Sequence, residues 1–279
     1  MASSNNVEKK LHNTLLVVEG ESAEPKLVQI LFDKFVPDAM HVVYPYRANI
    51  HDLIEKINRE YYGDYESIEI CRVLAEMLPE DDDWHDRLLY TRFTDVILMF
   101  DFDPQDDRFD KEELRRMLEA CCDSTDTDKG LLLINYPAVE AVKEAASLSY
   151  EQYLDSFIKT SDLRRYKEIV NDAMRMSKMV SPHDFTRYNV TSLLQSIAYV
   201  VGKVQYLVDG VPLEKTFPMS SKSYESLSDL CAAISGIEVF DYEVGKCNSK
   251  GLIATCGLGP LFIANWGRAL DGAWKKCFG

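Results

Sequence analysis

A chain of 279 residues, 46% hydrophobic and 28% charged, suits one large domain or two small ones and can bury a substantial core. Its net charge of −15 is the reverse of the basic surface by which a protein grips nucleic acid unaided. Seven cysteines without a Cys-x-x-Cys pair exclude a disulfide framework and a zinc ribbon. No apolar run approaches the ~20 residues that span a bilayer, and Met1 to Lys10 lacks a signal-peptide core, so a cytoplasmic protein without membrane contact is expected.

Residues 1 to 12 read as a lead-in. Asn13 to Glu19 is the first predicted strand, with Leu15-Leu16-Val17-Val18 running into the acidic Glu19-Gly20-Glu21-Ser22-Ala23-Glu24-Pro25. Gly20 permits a tight turn, and Pro25 suits the first turn of the helix that follows. Leu27, Val28, Leu31 and Phe35 recur at helical spacing and place an amphipathic helix over 24–35, ended by Pro37. His41 to Pro45 reads as a short strand near a sheet edge, because proline cannot donate to a ladder. Helices are expected from Asn49 or His51 to about Tyr61 and from Tyr65 to Leu78. The run Glu80-Asp81-Asp82-Asp83-Trp84-His85-Asp86 lies on no strand end and reads as a solvated loop.

Val96 to Phe100 is an uninterrupted apolar run whose two side-chain faces both call for burial, as in a parallel strand covered on both sides. It stops at Asp101-Phe102-Asp103-Pro104. Two aspartates one residue apart at the carboxyl end of a strand repel one another and resist desolvation unless a cation shares them, and Mg²⁺ prefers such oxygen donors. The same residues also read as a strand end followed by a polar loop. Asp110 caps the next helix, with Leu114, Met117, Leu118 and Cys121 as its buried stripe. After a turn over 124–130, Leu131 to Ile134 forms a third apolar strand, leaving through Asn135-Tyr136-Pro137-Ala138-Val139-Glu140. Glu140 reads on its own as a first-turn acid favoured by the helix dipole.

From about residue 147 the pattern becomes helical: 150–159, then Leu163, Tyr166, Val170 and Ala173, then a long stripe of Val190, Leu193, Leu194, Ile197, Val201 and Val204 stopped near Asp209-Gly210. Lys159, Arg164, Arg165, Lys167, Arg175, Lys178 and Arg187 make the densest basic stretch, either a phosphate-backbone contact centred on Arg164, Arg165 and Lys167 or the solvated face of an amphipathic helix. The division expected is an α/β core over 13–146, a helical insertion over 147–210 and a mixed segment over 211–279 packing on the core. In that last segment, Ser226 to Ser235 is predicted helix, Leu252 to Pro260 strand and turn, and Pro260 to Phe278 a closing helix.

Glu19-Gly20 on one strand and Asp101-Phe102-Asp103 on a later one resemble the signature of the TOPRIM domain, the metal-binding fold of topoisomerases, bacterial primases and several nucleases. The spacing Glu19-Gly20-x-x-x-Glu24 is most similar to the RloB-like and OLD-family nuclease branch, associated with phage defence, and the resemblance covers roughly the first half of the chain. It implies a Rossmann-like core with a mainly parallel sheet, and Mg²⁺ or Mn²⁺ held by Glu19, Asp101 and Asp103. The exit Asn135-x-Pro137-x-x-Glu140 is similar to a segment of RloB-like proteins, and by that resemblance Glu140 completes the acidic cluster. Glu24 joins it either at a second ion or, like Glu19, as general base on water. Lys26 and Lys143 are further candidates for offsetting phosphate charge. Where primases and topoisomerases often place a glycine after the second aspartate, this chain has Pro104-Gln105-Asp106.

The activity implied is metal-dependent hydrolysis of DNA or RNA phosphodiesters in anti-phage defence, beside a separate ATPase, since the chain has no P-loop motif of its own. No Gly-x-Ser-x-Gly elbow and no His-Glu-x-x-His motif is present. The rival expectation, favoured by the net charge, is a non-catalytic TOPRIM-like module that acts through protein–protein contact. Oligomeric state is left open by the sequence.

Overall fold

The computed structural model describes residues 13–176, 185, 188–210 and 226–278. Its centre is the strand that the apolar run predicts. In β3 (Asp95–Asp101) every residue is buried, and Val96 to Phe100 expose nothing. Burying five such side chains contributes about 1.5–3 kcal/mol each relative to exposing them.

The chain enters through β1 (Asn13–Val18), α1 (Ala23–Phe35), β2 (Met40–Pro45) and α2 (Ile50–Tyr61). Asn49 caps α2 with a full capping box to Asp52. Next come α3 (Ile70–Glu76) and α4 (Asp83–Tyr90), then β3, α5 (Lys111–Ala120) capped by Asp110, and β4 (Leu131–Tyr136). Strands β2-β1-β3-β4 lie in that order and are all parallel. This is an α/β fold with a mostly parallel, Rossmann-like central sheet. The chain moves from β1 outward to β2, then crosses back to β3 on the other side of β1 and continues to β4. The direction of winding therefore reverses between β1 and β3, and right-handed crossovers then put α1 on one face and α2 and α5 on the other. The packing agrees: α1 meets elements from the end of the chain, whereas α2 meets α5.

The remaining elements are α6 (Ala141–Ser147), α7 (Tyr150–Leu154), β5 (Phe157–Lys159), a 3-10 turn (Thr160–Arg165), α8 (Tyr166–Met176), α9 (Val190–Asp209), α10 (Leu227–Ala232), α11 (Gly236–Lys250), β6 (Leu252–Ala254), β7 (Cys256–Gly257), a second 3-10 segment (Gly259–Trp266) and α12 (Gly267–Phe278). β7 adds an antiparallel edge beside β4, pairing Asn135 with Gly257 and Tyr136 with Cys256. β5 and β6 form a separate two-stranded ribbon. The second 3-10 segment, α9 and α12 cover α1, while α11 packs on α5.

Five expectations are corrected. The helix predicted over 65–78 begins only at Ile70, because Tyr65 turns inward to give its hydroxyl to Glu113. The acidic run is no loop throughout: Asp82 caps α4 by accepting from the Trp84 N–H. The segment 150–159 breaks after Leu154, and Phe157–Lys159 pairs with β6. The closing helix over 260–278 is divided, its first half a 3-10 segment pressed on the sheet. In α8, Met174 is buried while Ala173 is exposed.

One buried cation ties the later elements together. Lys203 of α9 is wholly buried, and its Nζ donates to Tyr153 O at 2.8 Å, Ser156 O at 2.6 Å, Ser156 Oγ at 2.8 Å and Thr255 Oγ1 at 3.4 Å. Burial pushes this amine down to about 8. Glu243 of α11 is equally buried, accepts from the Ala254 N–H at 2.9 Å, and is pushed up to about 8 by desolvation. Lys203→Met removes the donor from two main-chain carbonyls and is expected to lower stability by about 3 kcal/mol. Urea unfolding at neutral pH measures this; a variant as stable as the parent would mean that the apolar face of α9 alone holds it in place.

Candidate metal and phosphoryl-transfer site

The reversal of winding places the carboxyl ends of β1 and β3 side by side, the position where open α/β sheets bind ligands. Glu19 follows β1 and Asp101 ends β3. Glu19 N donates to Met99 O at 3.2 Å, and Arg47 N donates to Glu19 O at 3.0 Å, so the strand exit stays held between both neighbours. The side chain of Glu19 turns toward β3, where its Oε2 accepts from the Asp101 N–H at 3.0 Å. The side chain of Asp101 turns toward the β4 exit, where its Oδ1 accepts from the Val139 N–H at 3.0 Å. Phe102 N is shared between Asn135 O at 2.9 Å and Pro137 O at 3.1 Å, fixing the Asp-x-Asp segment to the exit that carries Glu140.

Glu24 and Glu140 complete the group from the starts of α1 and α6. Both are buried, Glu24 at 4% and Glu140 at 5% exposure. Gly20 has an ordinary negative φ, so turn geometry is not what it supplies; a Cβ there would come within 2.5 Å of Glu24 Oε2. Glycine in the Glu-Gly pair is thus the space into which Glu24 folds. Asp103 is half-buried on the outer rim, its Oδ1 accepting from Gln105 Nε2 at 2.8 Å. Its backbone is pinned from α2, where buried His51 donates Nε2–H to Asp103 O at 3.1 Å. Asn49 and Arg108 clasp Asp106 in the same loop.

Two ammonium groups face these five acids. Lys167 of α8 has its Nζ 3.5 Å from Asp101 Oδ2 and 3.9 Å from Glu140 Oε2. Lys143 of α6 is buried, 3.7 Å from Glu140 Oε1 and 3.5 Å from Asn171 Oδ1, over the Phe185 ring. Glu140 Oε2 is a buried oxygen with no hydrogen-bond partner. Among the described residues, no three acidic, histidine or cysteine side chains stand close enough together to hold a metal ion as they are. The cation at the centre of the arrangement is Lys167.

The electrostatics follow from crowding carboxylates out of water. Desolvation pushes the Glu19 carboxyl up to about 7, opposed by the Asp101 N–H and reinforced by Asp103 and Glu24. Desolvation also raises Glu24 and raises Asp101 well above its ordinary value, with Glu19 adding to it. Burial lowers Lys143. For Lys167 desolvation acts downward, but Asp101, Glu140, Glu24 and Glu19 together hold it above its ordinary value.

The structure brings together Glu19, Glu24, Asp101 and Glu140, with Asp103 beside them. Of the basic residues, Lys167 reaches into the cluster. Arg164 lines an open groove of about 540 Å³ shared with Asp103, Gln105 and Asp107. Arg165 points away, 3.6 Å from Glu168 with its side chain 71% exposed. Lys26 donates to Ser22, the residue before its own helix, and among the described residues forms no ion pair with the cluster's acids. Lys178 and Arg187 lie outside the described residues. The sequence reading did not single out His51 as the support of Asp103; nothing in its spacing signals that. Comparison with protein-family models, curated proteins and solved structures finds no match to this chain.

Glu19 fixes a pH dependence. Between its ordinary value of 4.5 and about 7, the folded chain keeps a proton that the unfolded chain has lost. Stability of the metal-free protein therefore falls as pH rises through that window. Melting in EDTA across the window should show the fall, and Glu19→Gln, which keeps the acceptor for the Asp101 N–H, should make it shallower, with Asp101, Glu24 and Glu243 supplying the remainder. A flat profile in the parent would contradict the assignment.

Proposed function

We propose that this chain is a metal-dependent nuclease with a TOPRIM-like core, hydrolysing DNA or RNA phosphodiesters. The observation that carries the reading is the joining of Glu19 to Asp101 across the switch point, with a Glu140 oxygen that accepts no hydrogen bond buried beside them. The donor set fits a hard divalent cation: carboxylate oxygens, no thiolate, and desolvated acids that a cation would relieve of their protons. Glu19, Asp101 and Glu140, with Asp103 at the rim, would hold it. Bound Mg²⁺ or Mn²⁺ would supply Lewis-acid polarisation of the phosphoryl oxygens.

The chain's own residues account for the rest of the reaction. Hydrolysis forms a bond from water oxygen to phosphorus and breaks the bond from phosphorus to the leaving oxygen. Glu24, left free by that ligand set, takes the proton from water, and its burial raises its proton affinity for that task. The buried ammonium of Lys143 offsets charge on the phosphate. Arg164, at the groove beside Asp103, binds a neighbouring backbone phosphate. A net charge of −15 leaves such a local contact weak, which supports a nuclease positioned by a partner. By the family resemblance that partner is a separate ATPase and the setting anti-phage defence.

One observation favours a second reading, a non-catalytic module acting through protein contact: the cluster already contains a cation in Lys167. Calorimetry with Mn²⁺, followed by cleavage assays on DNA and RNA, separates the two. The nuclease reading expects Asp101→Asn/Asp103→Asn to abolish both binding and cleavage. Retained cleavage by the double variant, or a parent chain that binds no metal, would remove it. Arg164→Ala is expected to weaken nucleic-acid binding across sequences and to reduce the salt slope by about 1. An unchanged slope would place the strand elsewhere.

A further inference from the structure

The two lysines of the cluster differ in how they are held. Lys143 is fixed: its side chain is 5% exposed, with Asn171 and the Phe185 ring as well as Glu140 around it. The polar contacts of Lys167 among the described residues are ion pairs. Its side chain is 59% exposed, it emerges from the second residue of α8, and its contacts at 3.5 and 3.9 Å are ion pairs rather than close hydrogen bonds. Yet its Nζ lies against the two oxygens with the least other use. Asp101 Oδ1 is taken by the Val139 N–H, leaving Oδ2, and Glu140 Oε2 has no hydrogen-bond partner.

We propose that Lys167 is the resident counter-ion of the carboxylate cluster, and that a divalent cation enters by displacing its ammonium from Asp101 and Glu140. The proposal rests on the metal-dependent reading of the site. A long, mostly exposed side chain can leave without disturbing the fold, whereas Lys143 cannot. While Lys167 is in place, it holds the buried acids in their folded positions and competes with the metal for the same oxygens. Metal occupancy is then set by the balance between an internal cation and an external one. A nucleic-acid phosphate or a partner's carboxylate that draws Lys167 outward tightens metal binding, and this couples partner or substrate docking to assembly of the site.

The test uses the full chain and Mn²⁺ alone as the probe. Calorimetry is run on the parent, Lys167→Met and Lys167→Arg, with melting in EDTA and in Mn²⁺ for each. Lys167→Met is expected to bind Mn²⁺ about tenfold more tightly, to melt lower in EDTA, and to gain more from Mn²⁺ than the parent does. Lys167→Arg, which keeps the charge, is expected to stay close to the parent in affinity. Lys167→Gln serves as a second neutral variant if the methionine form does not fold. Lower melting with unchanged or weaker Mn²⁺ affinity would make Lys167 a structural or ligand-supporting group and overturn the proposal while leaving the metal site intact. Absence of Mn²⁺ binding in the parent and in every variant would overturn the metal reading itself, and the proposal with it.

Discussion

Asp101 carries opposing demands that shape the region around it. It ends a strand whose two faces are sealed, so its carboxylate cannot reach bulk water, and it shares that position with Glu19, Glu24 and Glu140. Charges of one sign cannot be gathered in a desolvated space without compensation. Three devices supply it here: main-chain N–H donors at Asp101 and Val139, raised proton affinities, and the ammonium groups of Lys143 and Lys167. The strand order follows the same logic, since only the reversal between β1 and β3 brings Glu19 and Asp101 into contact.

The supports around this centre are built from the opposite face of the sheet. α2 holds the Asp103 loop through His51, Asn49 and Asp52, so the rim carboxylate is positioned by an element from another part of the chain. The inner carboxylates are instead held by the strands and by the β4 exit. The cluster thus combines rigid inner acids with a rim acid on a braced loop, a division that suits a site with a fixed floor and an adjustable edge.

Much of this was legible in the sequence, for physical reasons. An uninterrupted run such as Val96 to Phe100 fits only a strand buried on both faces, and acids at the ends of two such runs stand out against it. The capping signals at Asn49 and Asp110 were equally local. The rest was not local. Lys167 sits among basic residues that read as a solvated face, and only the docking of α8 turns it inward. His51 looks like a helix-start residue because its partner is a main-chain carbonyl far along the chain. Phe157–Lys159 is too short for its period to be told from a continuing helix, and its strand character comes from pairing with β6. Gly20 was readable as a glycine but not as a cavity for Glu24, because that role depends on where another side chain folds.

The edge strand β7 gives the molecule an order of assembly. Asn135, near the end of β4, accepts from the Gly259 N–H through its Oδ1 at 2.9 Å, and β4 receives its second neighbour from Cys256 and Gly257. A ribosome that has delivered the four parallel strands and the exit through Glu140 has therefore made every acid of the cluster but not the clamp on its third side. Contacts of such long sequence separation form late. A nascent chain at that stage would expose a bare strand edge and a loosely held Glu140 exit. The site is thus closed on that side by a segment made more than a hundred residues after its first acids.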